Sequence, residues 1–204
     1  MYSLLYQALR SELEEWIQCH RIPRVGPLDI AATAAGVGHQ VEYSRRIVGS
    51  DNAPRDVKGA LIADGTAILN PDFASEYRIT YGHELGHWVI RVELPDLIPT
   101  GQRIIFVNNG CGDELMPLEM PPPAATAIVP EEALMQARKG WETEIEDFCE
   151  RFGRELALPL NLLKRLNTDD PYMVCRMMGV DIETAFFQLY ELGPIAPHFE
   201  IDYL

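Results

Sequence analysis

His83 and His87 stand four residues apart in the run His83-Glu84-Leu85-Gly86-His87. A helix turns about 100° per residue, so positions i and i+4 share one face, one turn apart. Two imidazoles placed in this way can reach a single zinc ion. A glutamate directly after the first histidine can accept a proton from water, whose pKa a zinc ion lowers toward about 7. The chemistry to which this spacing points is metal-assisted hydrolysis. Gly86 would let another element approach the helix closely. Taken one at a time, two histidines and a glutamate are ordinary helix residues. Their joint spacing, in a chain with only five histidines, favours the metal.

A hydrolytic zinc needs a third protein ligand and one open position. His20, His39 and His198 are remote in sequence and sit in no motif. The extended pattern HExxHxxGxxH fails, because Ile90 occupies the place of its glycine. A carboxylate from a later helix is therefore expected. The segment after Gly140 offers Glu142, Glu144, Glu146 and Glu150, of which Glu142, Glu146 and Glu150 share one side. Spacing alone does not choose among them.

The elements that must position these groups follow from periodicity and punctuation. Ser3 to Gln18 has Leu4, Leu5, Leu9, Leu13, Trp16 and Ile17 at helical spacing. A short helix is expected over Asp29 to Ala35, ending near Gly36, and a strand over Gln40 to Tyr43. Two apolar runs, Ala60 to Ala63 and Thr66 to Leu69, flank Asp64-Gly65, which signals a hairpin with a two-residue type I′ turn. The hairpin edge between Ala60 and Leu69 is a candidate to hold an extended substrate strand by main-chain hydrogen bonds.

The chain turns at Asn70-Pro71, and the metal helix should run from about Phe73 through Arg91. Residues 93–130 break the pattern, apart from a candidate strand over Arg103 to Val107. A helix resumes after Pro130, with Gly140 as an expected break before a strongly amphipathic helix over Trp141 to Leu158. Two more should follow, over Pro171 to Met178 and Ile182 to Leu192, capped by Asp170 and Asp181 and closed by Gly193-Pro194. The expected architecture is α+β, a small antiparallel sheet beside the metal helix with a helical C-terminal part. Residues 1–159 form the core, with the irregular insert inside it, and residues 160–204 a helical subdomain packed on that core.

Composition narrows the function classes. The 204 residues suffice for one domain with a real core. No apolar run approaches the roughly 18 residues of a membrane span. Glu12, Glu14 and Glu15 interrupt the N-terminal segment, unlike a secretory signal, so a cytoplasmic location is expected. Cys19, Cys111, Cys149 and Cys175 form no CxxC pair and read as reduced thiols, mostly buried. A formal net charge of -14 disfavours direct nucleic-acid binding and suits a basic protein partner. The last two helices resemble a helix-turn-helix with Gly179 in the turn, but the second contains Glu183 and Glu191 and no Lys or Arg. A packing role is expected for it.

The chain resembles the ImmA/IrrE family of metallopeptidases. In that family HExxH is followed on a later helix by a glutamate, a small and a polar residue, a phenylalanine and an LLMP-like end. Here the corresponding run is Glu146 to Pro159, in which Phe152 and Pro159 have the family's separation. Counting back, Glu146 falls on the family's third zinc ligand. Cys149 and Glu150 stand where the family usually has alanine and asparagine. Thr66 to Pro71, Arg78 to Gly82, and Met178 to Ala185 are similar to other stretches of the family. The resemblance covers most of the chain, apart from about forty residues between Val92 and Pro130.

The resemblance implies a zincin-like fold and one zinc held by His83, His87 and Glu146, with Glu84 as the catalytic base. It also implies a substrate: a separate, basic, DNA-binding repressor of the XRE type, cut to switch on a stress, phage or mobile-element programme. Two other functions compete with this one. One is a metal-stabilised binding module or toxin–antitoxin component that sequesters a regulator without cutting it. The other is a peptidase of short peptides with no regulatory role. Tyr81, Tyr172 and His198 are the candidates to stabilise the oxyanion.

Overall fold

A computed structural model describes residues 4–24, 26–48, 54–55, 57–62, 65–90 and 131–192. The insert 93–130, its candidate strand over Arg103 to Val107, the closing Gly193-Pro194 and His198 lie outside the described residues. Helix α1 (Leu4–Cys19) turns Leu9, Leu13, Trp16 and Ile17 inward, as the spacing requires. Helix α2 (Ile30–Val37) starts where the Asp29 carboxylate accepts a hydrogen bond from the Ala32 amide. It ends at Gly38, whose φ of 79° closes it in the left-handed conformation.

Strand β1 (Gln40–Tyr43) follows directly. Ile47–Val48 (β2) and Pro54–Arg55 (β3) form a small antiparallel ladder, and β4 (Gly59–Leu61) and β5 (Thr66–Leu69) form the expected hairpin. The pairing of Leu61 with Ala67 and the bond from the Ile62 amide to the Thr66 carbonyl leave three residues between the last partners, not the two of a type I′ turn. Gly65 takes up the extra residue at φ 85°, its amide donating to the Ile62 carbonyl.

The sheet is not antiparallel throughout, as the sequence reading had it. Its order is β1-β5-β4, with β1 parallel to β5 and only β4 antiparallel to it. The cause is non-local. A long connection carries the chain from β1 back to β4, so β5 comes to lie beside β1 in the same direction. Strand β5 is thus central, and of the hairpin only β4 has a side that is open among the described residues.

After Asn70, whose side chain caps the Asp72 amide, the chain makes a 3-10 turn over Pro71–Glu76. Phe73 has φ −113° and ψ 37°, outside helical geometry, so α3 (Tyr77–Trp88) starts four residues later than periodicity suggests. Helix α4 runs unbroken from Glu131 to Ala157, through Gly140. One glycine costs a helix about 1 kcal/mol relative to alanine. The packing of Ile145, Phe148, Cys149, Phe152 and Leu156 outweighs that cost. Helix α5 (Leu160–Leu166), not expected from the sequence, leads into α6 (Pro171–Met178) and α7 (Ile182–Glu191). The caps at Asp170 and Asp181 are formed as expected, to the Tyr172 and Thr184 amides.

Two apolar clusters result. The larger joins α1, α2, the sheet, α3 and the second half of α4, with Phe148 and Phe152 stacked within it. The second gathers Leu158, Leu163, Val174, Met178, Ala185 and Leu189 from the end of α4 through α7. Polar ties join them. Arg78 donates to the Leu28 and Gly179 carbonyls, and Gln188 donates to the Leu158 carbonyl and to Glu155. No described helix is long and apolar enough to cross a membrane.

Candidate metal centre

The site is built where α3 and α4 cross, and small residues set how closely they cross. A Cβ added to Gly82 would lie 2.7 Å from the Gly153 Cα, and one added to Gly153 would lie 2.8 Å from the His83 backbone nitrogen. One turn along, a Cβ on Gly86 would meet the Cys149 Cα at 3.1 Å. The pair Gly82 and Gly86 on α3 thus faces the pair Cys149 and Gly153 on α4. The sequence reading singled out Gly86 to receive a neighbour and missed that Gly82 and Gly153 share the task. The available signal was their spacing, four residues on each helix.

This close approach brings three donor groups together. The Nε2 atoms of His83 and His87 are 3.1 Å apart. A carboxylate oxygen of Glu146 lies 3.3 Å from the first, and its other oxygen 3.6 Å from the second. Ligand atoms of all three fall within 4.8 Å of one another, a group that could hold a metal ion. His87 is 2% exposed, whereas the Glu146 side chain is 55% exposed. Among the described residues, the donors therefore run from the interior to the surface, with Glu146 on the solvent side.

Of the four glutamates that spacing left open, Glu146 faces both Nε2 atoms, and Glu150 approaches the other nitrogen of His83, Nδ1, at 3.6 Å. Glu144 is not part of the group that could hold a metal ion, and the Glu142 side chain lies outside the described residues. Glu84 is buried at 7% exposure on the same helix. Burial by itself would lower the His83 pKa. The hydrogen bond that the ring donates to the Glu146 carboxylate and the charges of Glu84, Glu150 and Glu146 outweigh it, so His83 titrates above the usual histidine value.

The remaining histidines have other surroundings. His20 packs on Trp16, with Nδ1 3.3 Å from the Gly36 carbonyl, and His39 is buried against Trp88. Tyr81, an expected oxyanion group, is fully enclosed in the core with its hydroxyl 3.5 Å from His39 Nδ1. Burial raises its pKa. Tyr172 is exposed on α6. Of the described cysteines, Cys149 is buried, Cys175 half-buried and Cys19 exposed, contrary to the expectation that most would be buried.

No family model matches the chain, and no curated protein matches it.

Proposed function

We propose that the chain is a zinc metallopeptidase of the ImmA/IrrE type that hydrolyses a peptide bond, with His83, His87 and Glu146 as metal ligands and Glu84 as general base. The observation that carries this reading is the convergence of two Nε2 atoms and one carboxylate from two helices. Two ligands about 2.0–2.1 Å from a tetrahedral zinc stand about 3.3 Å apart. The three donor separations of 3.1, 3.3 and 3.6 Å bracket that value. The 3.1 Å contact would also suit an N–H···N hydrogen bond between the rings. Glu146, facing both nitrogens from a different helix, is what that alternative does not call for.

A zinc ion bound there would acidify water to near neutral pH and polarise a substrate carbonyl. The residues supply the remainder. His87, buried, fixes one donor in place, and Glu146 completes the set from α4. Glu84 receives the proton of the attacking water and delivers it to the leaving amine. Strand β4, open on one side among the described residues and close to α3, can take an extended substrate by main-chain pairing.

The substrate class rests on the motif resemblance together with the charge: a basic DNA-binding repressor, a separate chain, would be drawn to a protein of net charge -14. The test is metal content by plasma mass spectrometry, on protein purified without chelator or nickel. About one zinc per wild-type chain is expected, sharply reduced in Glu146→Ala. Glu84→Gln should keep its zinc and its partner yet cut nothing. A folded wild type that takes up no metal sinks the peptidase reading; a Glu84→Gln protein with unchanged biological function favours a binding module instead.

A further inference from the structure

When the Nε2 of a histidine holds a metal, its Nδ1 must carry the ring proton and needs an acceptor. His83 Nδ1 is buried, and among the described residues it has no hydrogen-bond partner. The group that faces it is the Glu150 carboxylate, with Oε1 3.6 Å away, just beyond bonding distance. The other oxygen of Glu150 is held by Arg154 Nη2 at 3.1 Å, one turn along α4. The Arg154 guanidinium in turn lies over the Phe187 ring of α7, 4.5 Å from its centroid. A continuous line of contacts therefore runs from His83 through Glu150 and Arg154 to the C-terminal helix.

We propose that Glu150 is a positioning residue for the metal: it accepts the His83 Nδ1–H, fixes the tautomer that directs Nε2 at the ion, and is itself oriented by Arg154 stacked on Phe187. A solvated glutamate paired with Arg154 alone would account for the 3.1 Å contact, but not for a carboxylate opposite a buried, unpartnered ring nitrogen. The shift needed to close the contact from 3.6 Å is a small side-chain rotation, within reach of a glutamate that is 46% exposed. A carboxylate behind a ligating histidine raises the basicity of the imidazole and so tightens its hold on the ion. Asparagine, which stands at this position in the resembled family, is shorter and uncharged. Arg154 is the partner that keeps the longer, charged acceptor in place.

The inference rests on the zinc reading, and the experiment separates the two. Zinc affinity is measured by competition with a chromophoric chelator, for the wild type, Glu150→Ala, Glu150→Gln and Arg154→Met. Nitrogen chemical shifts of the His83 ring are recorded in the zinc-loaded proteins. Glu150→Ala is expected to bind zinc roughly 10–100-fold more weakly. Glu150→Gln, which keeps an acceptor of the same length, should recover part of that loss. Arg154→Met, which leaves every metal ligand and Glu150 intact, should weaken binding by a smaller factor. The wild-type Nδ1 shift should report a proton shared with a carboxylate, and that signature should disappear in Glu150→Ala. A merely structural role would change melting temperature without moving the ring shifts. Wild-type zinc binding with Glu150→Ala within about twofold of it, and unchanged ring shifts, overturns the role of Glu150 while the metal site stands. A wild type that binds no zinc overturns both.

Discussion

The α3–α4 crossing and the α6–α7 pair are both helix contacts, and they are built by opposite means. At the crossing, glycine and cysteine let backbones nearly touch, and a Cβ in the wrong place would fall 2.7–2.8 Å from a main-chain atom. Nothing flexible can yield there. The α6–α7 pair is fixed by its caps and by an inward row of Val174, Met178, Ala185 and Leu189, while Tyr172, Met177, Phe186 and Tyr190 remain exposed on the other side. The three residues that could hold a metal ion sit on the tight contact. A donor set tolerates errors of a few tenths of an ångström, and only a contact made through backbone can hold two helices to that precision. The looser pair carries no ligand and can accept change.

Breaking the tight contact should have the largest effect. Gly153→Ala places a methyl against the His83 backbone nitrogen and the Ile79 carbonyl, so α4 must move away from α3. Overpacking of this kind costs about 1–3 kcal/mol. More telling, it displaces Glu146 from the two Nε2 atoms. Zinc content should fall with stability, as read by mass spectrometry and thermal melts of the same samples. Full zinc occupancy in Gly153→Ala would mean that the donors do not depend on this contact. The matching change in the loose pair is Asp181→Ala, which removes the side-chain acceptor of the Thr184 amide and hydroxyl. The loss is about 1 kcal/mol, seen as a lower midpoint in urea. Its zinc content should equal that of the wild type. A smaller effect again is expected at Phe186→Ser on the exposed side of α7, within about 0.5 kcal/mol of wild type.

The contrast also explains what the sequence disclosed. Caps are local signals, complete within four residues, and Asp170 and Asp181 fixed the starts of α6 and α7 to the residue. The Asp-Gly pair located the hairpin for the same reason, though not its three-residue loop. The parallel pairing of β1 with β5 was hidden, because it joins Gln40 to Thr66 across a connection that no local pattern encodes. Likewise the histidines announced themselves through a five-residue motif, but residue spacing could not choose among the glutamates of α4. That choice is made by which face of α4 meets α3, hence by Gly82, Gly86, Cys149 and Gly153. Helix α5 escaped notice because Leu160 to Leu166 is short and has no side-chain cap. Gly140 misled in the other direction, since a single residue's propensity is small beside the packing of a 27-residue helix.

The subtlest expected effect is a pair of opposed slopes rather than a loss, and it returns to the tight contact. Without metal, His83 has its pKa raised above the ordinary 6.5, carboxylates outweighing burial. Folding then favours the protonated ring. The stability it contributes is fully present below about pH 6.5 and disappears as pH rises through the folded value. With zinc, the same ring must be neutral to bind, so the stabilisation that zinc confers grows over that range. Melting temperatures of metal-free and zinc-loaded protein should therefore diverge as pH increases from about 6 to 8. The chain has four other histidines, His20, His39, His87 and His198, so the assignment to His83 needs its own control. In His83→Gln the metal-free protein should lose part of its decline with pH, and zinc should no longer separate the two curves. Curves that stay parallel in the wild type would mean that protons and metal do not compete for His83. The three carboxylates around it would then be serving the fold, not the ion.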